Sequence, residues 1–312
     1  MATKTIEEAL AKIRLRAVPS QVIGSEGFEE KKPECPRCQD KQILIYRVHK
    51  DAKWIEESRW INGQEIVKLT PETMVPESDF LAGKVCQPQD AWEWRDTFSI
   101  RCDCVAQRKS NRLMKSSEIT EEFKRLGFQN FCTDGKPQVI LDAYECALEY
   151  YQDFEIVRSE RRNSIALLGQ PGVGKTHLLT AIANNLIQRK QVPVLYFPYV
   201  EGFNDLKDDF NQLEEKLERM KKVDVLFIDD LFKPTGRDRK PRATEWQIEQ
   251  MYAVINHRYL NYQPIMISSE LTVDELVDID EALGTRIYEM CQDFCVVIKG
   301  DRKILNHRLV GA

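Results

Sequence analysis

One run of residues has the types and spacing that hold phosphate. Residues 169–176 read GQPGVGKT and match the P-loop pattern G-x-x-x-x-G-K-T at every fixed position. Glycines let backbone N–H groups approach phosphate, a helix N-terminus adds partial positive charge, Lys175 neutralises the outer phosphates, and the Thr176 hydroxyl can ligate magnesium. We therefore predict that a nucleotide binds through Gly169, Gln170, Pro171, Gly172, Val173, Gly174, Lys175 and Thr176.

Two adjacent acids follow a short apolar run. Asp229 and Asp230 end the segment VLFIDD, and ligands of open parallel sheets bind at the carboxyl ends of strands. We predict that Asp229 holds magnesium together with Thr176, directly or through water. Asp230 is predicted to be catalytic, orienting and polarising the attacking water. The alternative is a solvated strand end without chemistry.

Two cysteine pairs form a third candidate site. Cys35 and Cys38 make a CxxC pair, and Cys102 and Cys104 make a CxC pair. Four thiolates suit tetrahedral zinc, which stabilises modules too small for a large core. The alternatives are unliganded thiols or a redox pair, although no thioredoxin-like βαβ pattern surrounds Cys35.

Two other side chains near these pairs could bind zinc. Cys86 and His49 are possible substitutes. Four further cysteines are expected to be small, buried apolar residues: Cys132, Cys146, Cys291 and Cys295.

The elements that position the phosphate site alternate in type. From about residue 135 the apolar runs SIALLGQ, VPVLYFP, VDVLFIDD and PIMISS alternate with helical patterns, which predicts a parallel sheet covered on both faces. Before it, QILIYRV and TFSIRC have the character of strands. The predicted division is a cysteine (zinc-ribbon-like) module at 1–104, a basic helical connector at 105–134 and an ATPase domain at 135–312.

Two short helices are predicted outside the main α/β pattern. Residues 5–15 place Ile6, Leu10 and Ile13 on one helical face. In the connector, Ser116 or Ser117 would begin a helix through Leu126, which Gly127 would end.

Composition limits the class of protein. The chain has 312 residues, of which 42% are hydrophobic and 30% charged, as in globular domains. Its net charge of -5 argues against coating nucleic acid by bulk charge. No apolar run approaches the ~20 residues of a membrane span, and the first residues have no signal-peptide core. We therefore expect a cytoplasmic location and no membrane partner.

Three stretches resemble one known family. The stretches GQPGVGKTHLLTAIANNLI, VDVLFIDDLFK and GTRIYEM resemble the DnaC/DnaI family of bacterial replicative-helicase loaders, AAA+ ATPases related to the initiator DnaA and to transposase-helper ATPases. The resemblance covers roughly residues 135–300. It implies an α/β fold, an AAA+ P-loop domain with a parallel sheet between helices, preceded by a small zinc-stapled N-terminal module. It also implies ATP, magnesium and zinc as bound groups.

The resemblance assigns further residues. Arg286, within GTRIYEM, matches an arginine that reaches the ATP of a neighbouring subunit, where a guanidinium stabilises charge on the transferred phosphoryl group; the alternative is a surface arginine. In this family the first sensor, a polar residue at the end of the strand that follows the paired acids, is often Asn. This chain has Glu270 at that position, and the preceding Ser269 is predicted to contact the nucleotide instead. The second-sensor arginine is Arg302 or Arg308, between which the sequence does not decide.

The resemblance also implies partners: a replicative hexameric DNA helicase, single-stranded DNA, and further copies of the chain when ATP is bound. Two segments are candidates for DNA contact, and each has an alternative as a packing helix or a solvated loop. The first offers Tyr199, Phe203, Phe210 and Lys207. The second offers Lys233, Arg237, Arg239, Lys240 and Arg242.

Competing functions remain open from the sequence. The leading hypothesis is a loader that couples ATP hydrolysis to placing a helicase on single-stranded DNA during replication. A transposase-helper ATPase has a similar core, normally without such a cysteine module. A small-molecule P-loop kinase usually has a lid and an acceptor pocket. A fourth possibility is an adaptor that binds ATP without hydrolysis.

Overall fold

The computed structural model describes residues 33–61, 64–94, 96–206, 209–236, 240–241 and 243–309. The chain divides into two compact units, with the boundary between Ile100 and Arg101. The domain limits expected from the sequence, at 104 and 134, stay predictions. The helix predicted at residues 5–15 lies outside the described residues.

The first unit is built from short strands, as its β-rich segments predict. A three-stranded sheet has the order β4-β1-β5, and a two-stranded hairpin pairs β2 with β3 antiparallel. The predicted strand segments QILIYRV and TFSIRC are confirmed as β1 and β5. The elements are β1 (Ile43–Val48), β2 (Trp54–Ile61), β3 (Gln64–Pro71), β4 (Met74–Pro76), α1 (Glu77–Leu81), a 3-10 helix (Pro88–Trp94) and β5 (Asp96–Arg101).

The second unit contains the parallel sheet that the alternating pattern predicts. Its five strands have the order β12-β6-β11-β8-β7, and all four neighbouring pairs are parallel. The strands are β6 (Ile165–Gly169), β7 (Val194–Pro198), β8 (Val225–Asp229), β11 (Ile265–Ser269) and β12 (Cys295–Ile298), with a small pair β9 (Pro234–Thr235) and β10 (Lys240–Pro241) outside the sheet.

Helices cover both faces of this sheet, because alternate side chains of each strand enter two different cores. On β6, Ile165 and Leu167 enter one apolar cluster, and Ala166 and Leu168 enter the other. The predicted α/β fold, with a parallel sheet between helices, is thereby confirmed. The helices are α2 (Cys104–Ser116), α3 (Gln138–Val157), α4 (Lys175–Asn185), α5 (Tyr199–Asp205), α6 (Phe210–Lys222), α7 (Glu245–Leu260), α8 (Val273–Ile279), α9 (Glu281–Cys291) and α10 (Arg302–Leu305).

The connector folds differently from the sequence prediction. Helix α2 ends at Ser116, where the sequence expected a helix to begin. The Ser117 hydroxyl donates to the Met114 carbonyl at 2.7 Å, and Glu118 follows with φ of +60°, which cannot continue a right-handed helix. The predicted helix through Leu126 is therefore wrong, since only the 3-10 turns Phe123–Arg125 and Phe128–Asn130 form there.

These turns lie against α4, the helix that follows the predicted phosphate loop. The Asn184 side-chain amide donates to the carbonyls of Phe123 and Leu126 at 2.9 and 2.8 Å. Ile119 and Phe131 are buried in the same core as α3 and α4. The residues that follow α2 therefore pack into the core of the second unit.

Candidate nucleotide site

The P-loop joins the carboxyl end of β6 to the N-terminus of α4. Its glycines at 169, 172 and 174 have φ values of +102°, +76° and +94°, a region that side chains with a Cβ rarely adopt. A Cβ on Gly169 would also lie 2.3 Å from the Ile298 carbonyl oxygen. The backbone path therefore requires glycine, and the loop residues of the predicted phosphate site lie together at one sheet edge.

Lys175 is buried at the start of α4. Its Nζ donates to the carbonyls of Gly169 and Gln170 at 2.8 and 2.7 Å. Burial lowers the pKa of this lysine to about 8, against the opposing charges of Asp230, Glu270 and Asp229. A buried ammonium held only by neutral carbonyl oxygens and nearby carboxylates is suited to pairing with an anion such as phosphate.

The two predicted magnesium ligands are in contact. The Thr176 hydroxyl donates to Asp229 Oδ1 at 2.9 Å, and the Tyr196 hydroxyl donates to Asp229 Oδ2 at 3.2 Å. Burial raises the pKa of the Asp229 carboxyl. A hydroxyl beside a carboxylate at the phosphate loop is the oxygen donor set that magnesium prefers, so these residues fit the ion.

Ser268 is a site residue that the sequence reasoning missed. Its hydroxyl donates to Asp229 Oδ1 and accepts the Asp230 backbone N–H at 2.8 Å. It reaches both acids because β11 lies between β6 and β8. A polar residue ending the next strand along the chain was the available signal, but only the tertiary contacts show which of the two serines meets the acids.

Asp230 has φ of +55°, so the chain turns sharply after β8. Its Oδ2 lies 2.5 Å from Lys233 Nζ. Both side chains line the cavity that contains the P-loop. The predicted catalytic carboxylate is therefore beside the phosphate loop, and its role stays a prediction.

Ser269 points away from this arrangement. Its buried hydroxyl donates to the Leu231 carbonyl at 2.7 Å and accepts the Leu271 N–H at 3.1 Å. Glu270, the next residue, lines the cavity. The geometry gives Ser269 a part in holding the turn after β8, while its nucleotide contact stays a prediction.

The cavity has a volume of about 450 Å³. Apart from Arg308, the residues that line its far side were not predicted as site residues from the sequence. Asn130 fixes the connector to α4, since its Oδ1 lies 3.0 Å from His177 Nε2. Of the two second-sensor candidates, both of which are exposed, Arg308 lines the cavity and Arg302, at the start of α10, does not. The wall is formed by Phe123, Leu126, Asn130, Phe131, Cys132, His307 and Arg308.

Arg286 lies on α9, outside this cavity. Its guanidinium donates to the Ala282 carbonyl at 2.6 Å and lies 5.4 and 5.5 Å from the ring centres of Tyr252 and Tyr259. It is not brought to the P-loop of its own chain. Its predicted action on a neighbouring subunit stays a prediction.

The four cysteines of the predicted zinc site form one group. The Sγ atoms of Cys35, Cys38, Cys102 and Cys104 all lie within 4.8 Å of one another. Zinc–sulfur bonds of about 2.3 Å in a tetrahedron place sulfurs roughly 3.8 Å apart, so the group fits zinc.

Backbone geometry around the first pair supports such a site. The N–H groups of Glu34 and Cys35 each donate to the Asp40 carboxylate at 3.0 Å, which fixes the turn that carries Cys35 and Cys38. Cys86 and His49 are not members of the cysteine group found among the described residues.

The remaining cysteines differ in exposure. Cys291 is buried, as expected, and Cys146 and Cys295 are partly buried. Burial raises the pKa of the Cys146 thiol to about 12, which disfavours the thiolate form. The expectation that Cys132 is buried is wrong, because it is exposed and lines the nucleotide cavity.

The first proposed DNA segment is largely a packing element. Tyr199 and Phe203 are fully buried in the second apolar cluster, so the expectation that they stack on bases is wrong. The side chains of Lys207 and Phe210 lie outside the described residues. In the basic loop, Lys233 is described, and the side chains of Arg237, Arg239, Lys240 and Arg242 are not.

None of the helices among the described residues has both the length and the apolar character to cross a bilayer.

Comparison with known proteins identifies a matching family and two relatives from one bacterium. Residues 106–308 match the profile of the family described as IstB-like ATP binding protein. In Bacillus subtilis strain 168, the uncharacterized protein YqaM is 57% identical over 298 residues, covering 95% of this chain and 93% of that protein. The phage-like element PBSX protein XkdC of the same strain is 64% identical over 210 residues, covering 67% and 78%.

A loader is among the more distant relatives. The replicative helicase loader DnaI of Bacillus subtilis strain 168 is 29% identical over 174 residues, which are 54% of this chain and 52% of that protein. The match spans about half the length of DnaI. The resemblance to DnaC/DnaI-type proteins is thereby confirmed for part of the chain.

Proposed function

The chain belongs to the family of IstB-like ATP-binding proteins, and from that premise we propose that it is an ATP-dependent loader of a replicative hexameric DNA helicase onto single-stranded DNA during DNA replication. The observation that carries the proposal is that one chain joins an ATP site with paired acids to a separate N-terminal unit. The 29% identity to the loader DnaI over 174 residues supports the same proposal.

ATP is held by the P-loop. In this proposal the backbone N–H groups of residues 169–174 and the Lys175 ammonium bind the phosphates. Thr176 and Asp229, already in contact at 2.9 Å, hold magnesium, which neutralises charge on the outer phosphates.

Hydrolysis requires a carboxylate beside the terminal phosphate. Asp230 lines the phosphate cavity, and its Oδ atoms orient the attacking water. Arg286 completes the site of a neighbouring copy when ATP-bound subunits assemble, since it lies outside its own cavity. Coupling of hydrolysis to loading is part of the proposal.

Zinc stabilises the N-terminal module in this proposal. Cys35, Cys38, Cys102 and Cys104 supply four thiolates, whose separation suits a tetrahedral ion. The metal is structural, because four protein ligands leave no open coordination position for chemistry.

The helicase-binding surface is proposed in the first unit. Its β2–β3 hairpin exposes apolar side chains, among them Val67 at 47% and Leu69 at 52% of their full accessible area. In antiparallel strands alternate residues share a face, so Val67 and Leu69 lie on the same side. An exposed apolar patch of this kind is typical of a protein-binding surface.

In this proposal single-stranded DNA binds to the second unit, which contains the ATP site and is called the ATPase unit below. Contacts with phosphate release counterions, so we expect this binding to weaken as salt rises. ATP dependence is expected because the basic loop follows β8, whose last residue Asp229 is part of the nucleotide site.

The test uses the full-length chain. The variant with Val67→Ser and Leu69→Ser should lose capture of a purified replicative helicase yet keep ATP-dependent binding to a single-stranded oligonucleotide. Lys175→Ala should show the opposite pattern. The control is Leu260→Ser, which changes an apolar residue that is 62% exposed in the second unit and should retain both activities.

Two outcomes would redirect the proposal. If helicase capture survives the hairpin variant and is lost with changes in the ATPase unit, the assignment of the surface is wrong. If the parent chain captures no ring helicase, the transposase-helper function becomes the better one, since it shares the ATPase core.

A further inference from the structure

A second lysine lies in the nucleotide cavity beside the predicted catalytic acid. Lys233 Nζ is 2.5 Å from Asp230 Oδ2, and Lys233 lines the same cavity as Lys175. No nucleotide-binding pattern in the sequence includes this residue, which was grouped with the basic loop.

The position of Lys233 is set by a fixed turn. Asp230 and Phe232 have φ of +55° and +51°, and the Lys233 N–H donates to the Asp230 carbonyl at 3.2 Å. Leu231 and Phe232 between them are fully buried. Because the backbone on both sides is held, Lys233 returns to the acid that lies three residues before it.

Lys175 and Lys233 have different partners. The Lys175 ammonium is held by backbone carbonyls of the P-loop, whereas the Lys233 ammonium neutralises the carboxylate that hydrolysis requires. The carboxylates of Asp230, Glu270 and Glu201 act on Lys233 and raise its pKa, although burial opposes them. Lys233 therefore stays protonated and holds one oxygen of Asp230.

We propose that Lys233 is a ligand of the terminal phosphate of ATP, and that it exchanges Asp230 for this phosphate and thereby frees the carboxylate to orient water. The inference rests on the proposed binding of ATP in this cavity and adds a residue that distinguishes ATP from ADP. No covalent bond changes in the exchange. One charge-assisted hydrogen bond replaces another, so its cost is small.

In this proposal Asp230 does not activate water until ATP is bound. With an empty cavity or with ADP, Lys233 remains on Asp230 and the acid lacks a free oxygen at Oδ2. With ATP, the phosphate competes for the ammonium. Only ATP therefore releases the Asp230 carboxylate from Lys233 and leaves it free beside the terminal phosphate.

Binding measurements on the full-length protein separate this role from a structural one. We would compare Lys233→Met, Lys233→Arg and the parent by calorimetry, with a non-hydrolysable ATP analogue and with ADP, both with magnesium. Lys233→Met should weaken the ATP analogue about tenfold or more, the effect of losing a hydrogen bond to a charged group, and change ADP affinity less than about twofold. Lys233→Arg should retain most of the affinity.

A matched control and a second background sharpen the comparison. Lys222→Met removes a lysine that pairs with Glu218 at 3.0 Å on the surface of α6 and should change neither affinity. Asp230→Asn removes the competing partner, so it should bind the ATP analogue more tightly than the parent does. Adding Lys233→Met to Asp230→Asn should abolish that gain.

The outcomes separate this inference from the proposed function. If the parent binds ATP and Lys233→Met binds the analogue equally well, Lys233 does not contact the terminal phosphate. If analogue and ADP weaken alike, the residue acts on the site as a whole and the inference is also wrong. If the parent binds no nucleotide, the proposed function itself fails.

Discussion

Lys175 carries its charge into a buried position, where two backbone carbonyls of the P-loop accept its hydrogen bonds. Burial lowers its pKa to about 8, while an arriving phosphate favours the charged form. At the residue scale, ATP binding is therefore linked to protonation of this side chain.

This linkage predicts a pH dependence. Below about pH 8 the free protein already carries the proton, so ATP affinity should be nearly constant. Above it, binding must take up a proton and the affinity should fall with rising pH, by up to about tenfold per pH unit. Calorimetry in buffers of different ionisation enthalpy measures the uptake. Lys175→Ala should bind no ATP, and pH-independent affinity in the parent would contradict the assignment.

Asp230 is predicted to be required for hydrolysis but not for ATP binding. Asp230→Asn keeps the side-chain shape but removes the base that polarises water, so the rate of phosphate release should fall by about 10²-fold or more. The same variant should still bind ATP in a direct titration. Equal turnover by variant and parent would refute the assigned role.

At the element scale, the ends of β8 and α6 depend on one buried arginine. Arg258 on α7 is fully buried and donates to the carbonyls of Met220, Val223 and Asp224 at 2.8, 2.8 and 2.9 Å. It thus satisfies acceptors at the C-terminus of α6 and in the turn that leads to β8. Arg258 therefore anchors the N-terminal end of β8, the strand whose other end is Asp229.

Removing that arginine should destabilise the ATPase unit. Arg258→Met leaves several buried carbonyls without donors, which should lower the free energy of unfolding by about 3 kcal/mol or more. Urea denaturation measures the change. Arg162→Met is the matched control, because Arg162 pairs with Asp293 at a half-exposed surface position where the expected loss is about 0–1 kcal/mol. Equal effects of the two changes would contradict the structural role of Arg258.

The cysteine group is an element-scale feature of another kind. The protein prepared without chelator should contain about one zinc per chain. Cys35→Ser should lose the metal and loosen the N-terminal module while ATP binding persists. Cys86→Ser changes a cysteine outside the group and should keep the zinc. Elemental analysis decides, and a metal-free parent would remove the site.

At the scale of the whole molecule, Arg286 connects one copy of the chain to another. We expect Arg286→Ala to bind ATP normally and to lose the stimulated rate of hydrolysis. Mixed with Lys175→Ala, it should recover part of the activity, since each variant supplies the half-site that the other lacks. The steady-state rate of the mixture against each variant alone is the measurement. Absence of recovery, with both variants folded and able to assemble, would count against a shared site.

The local motifs of this protein are properties of its sequence. The P-loop, the paired acids and the four cysteines could each be predicted because the chemistry needs particular residue types at short spacing. The parallel sheet followed from apolar runs that alternate with helical patterns, since a strand buried on both faces must be apolar along its length. The role of Arg286 came from a family resemblance, which added support for the zinc site predicted from the four thiolates.

The tertiary structure decided which distant residues share the site. Ser268 reaches both acids because β11 lies between β6 and β8, and strand order is not encoded in any one segment. Phe131 lies so near Gly174 that a Cβ on this glycine would be 2.6 Å from the Phe131 Cε2, a contact that depends on the connector leaving the helical conformation after Ser116. Lys233 meets Asp230 because buried neighbours impose two positive φ angles on the turn. These contacts depend on long-range packing, which overrides local propensity.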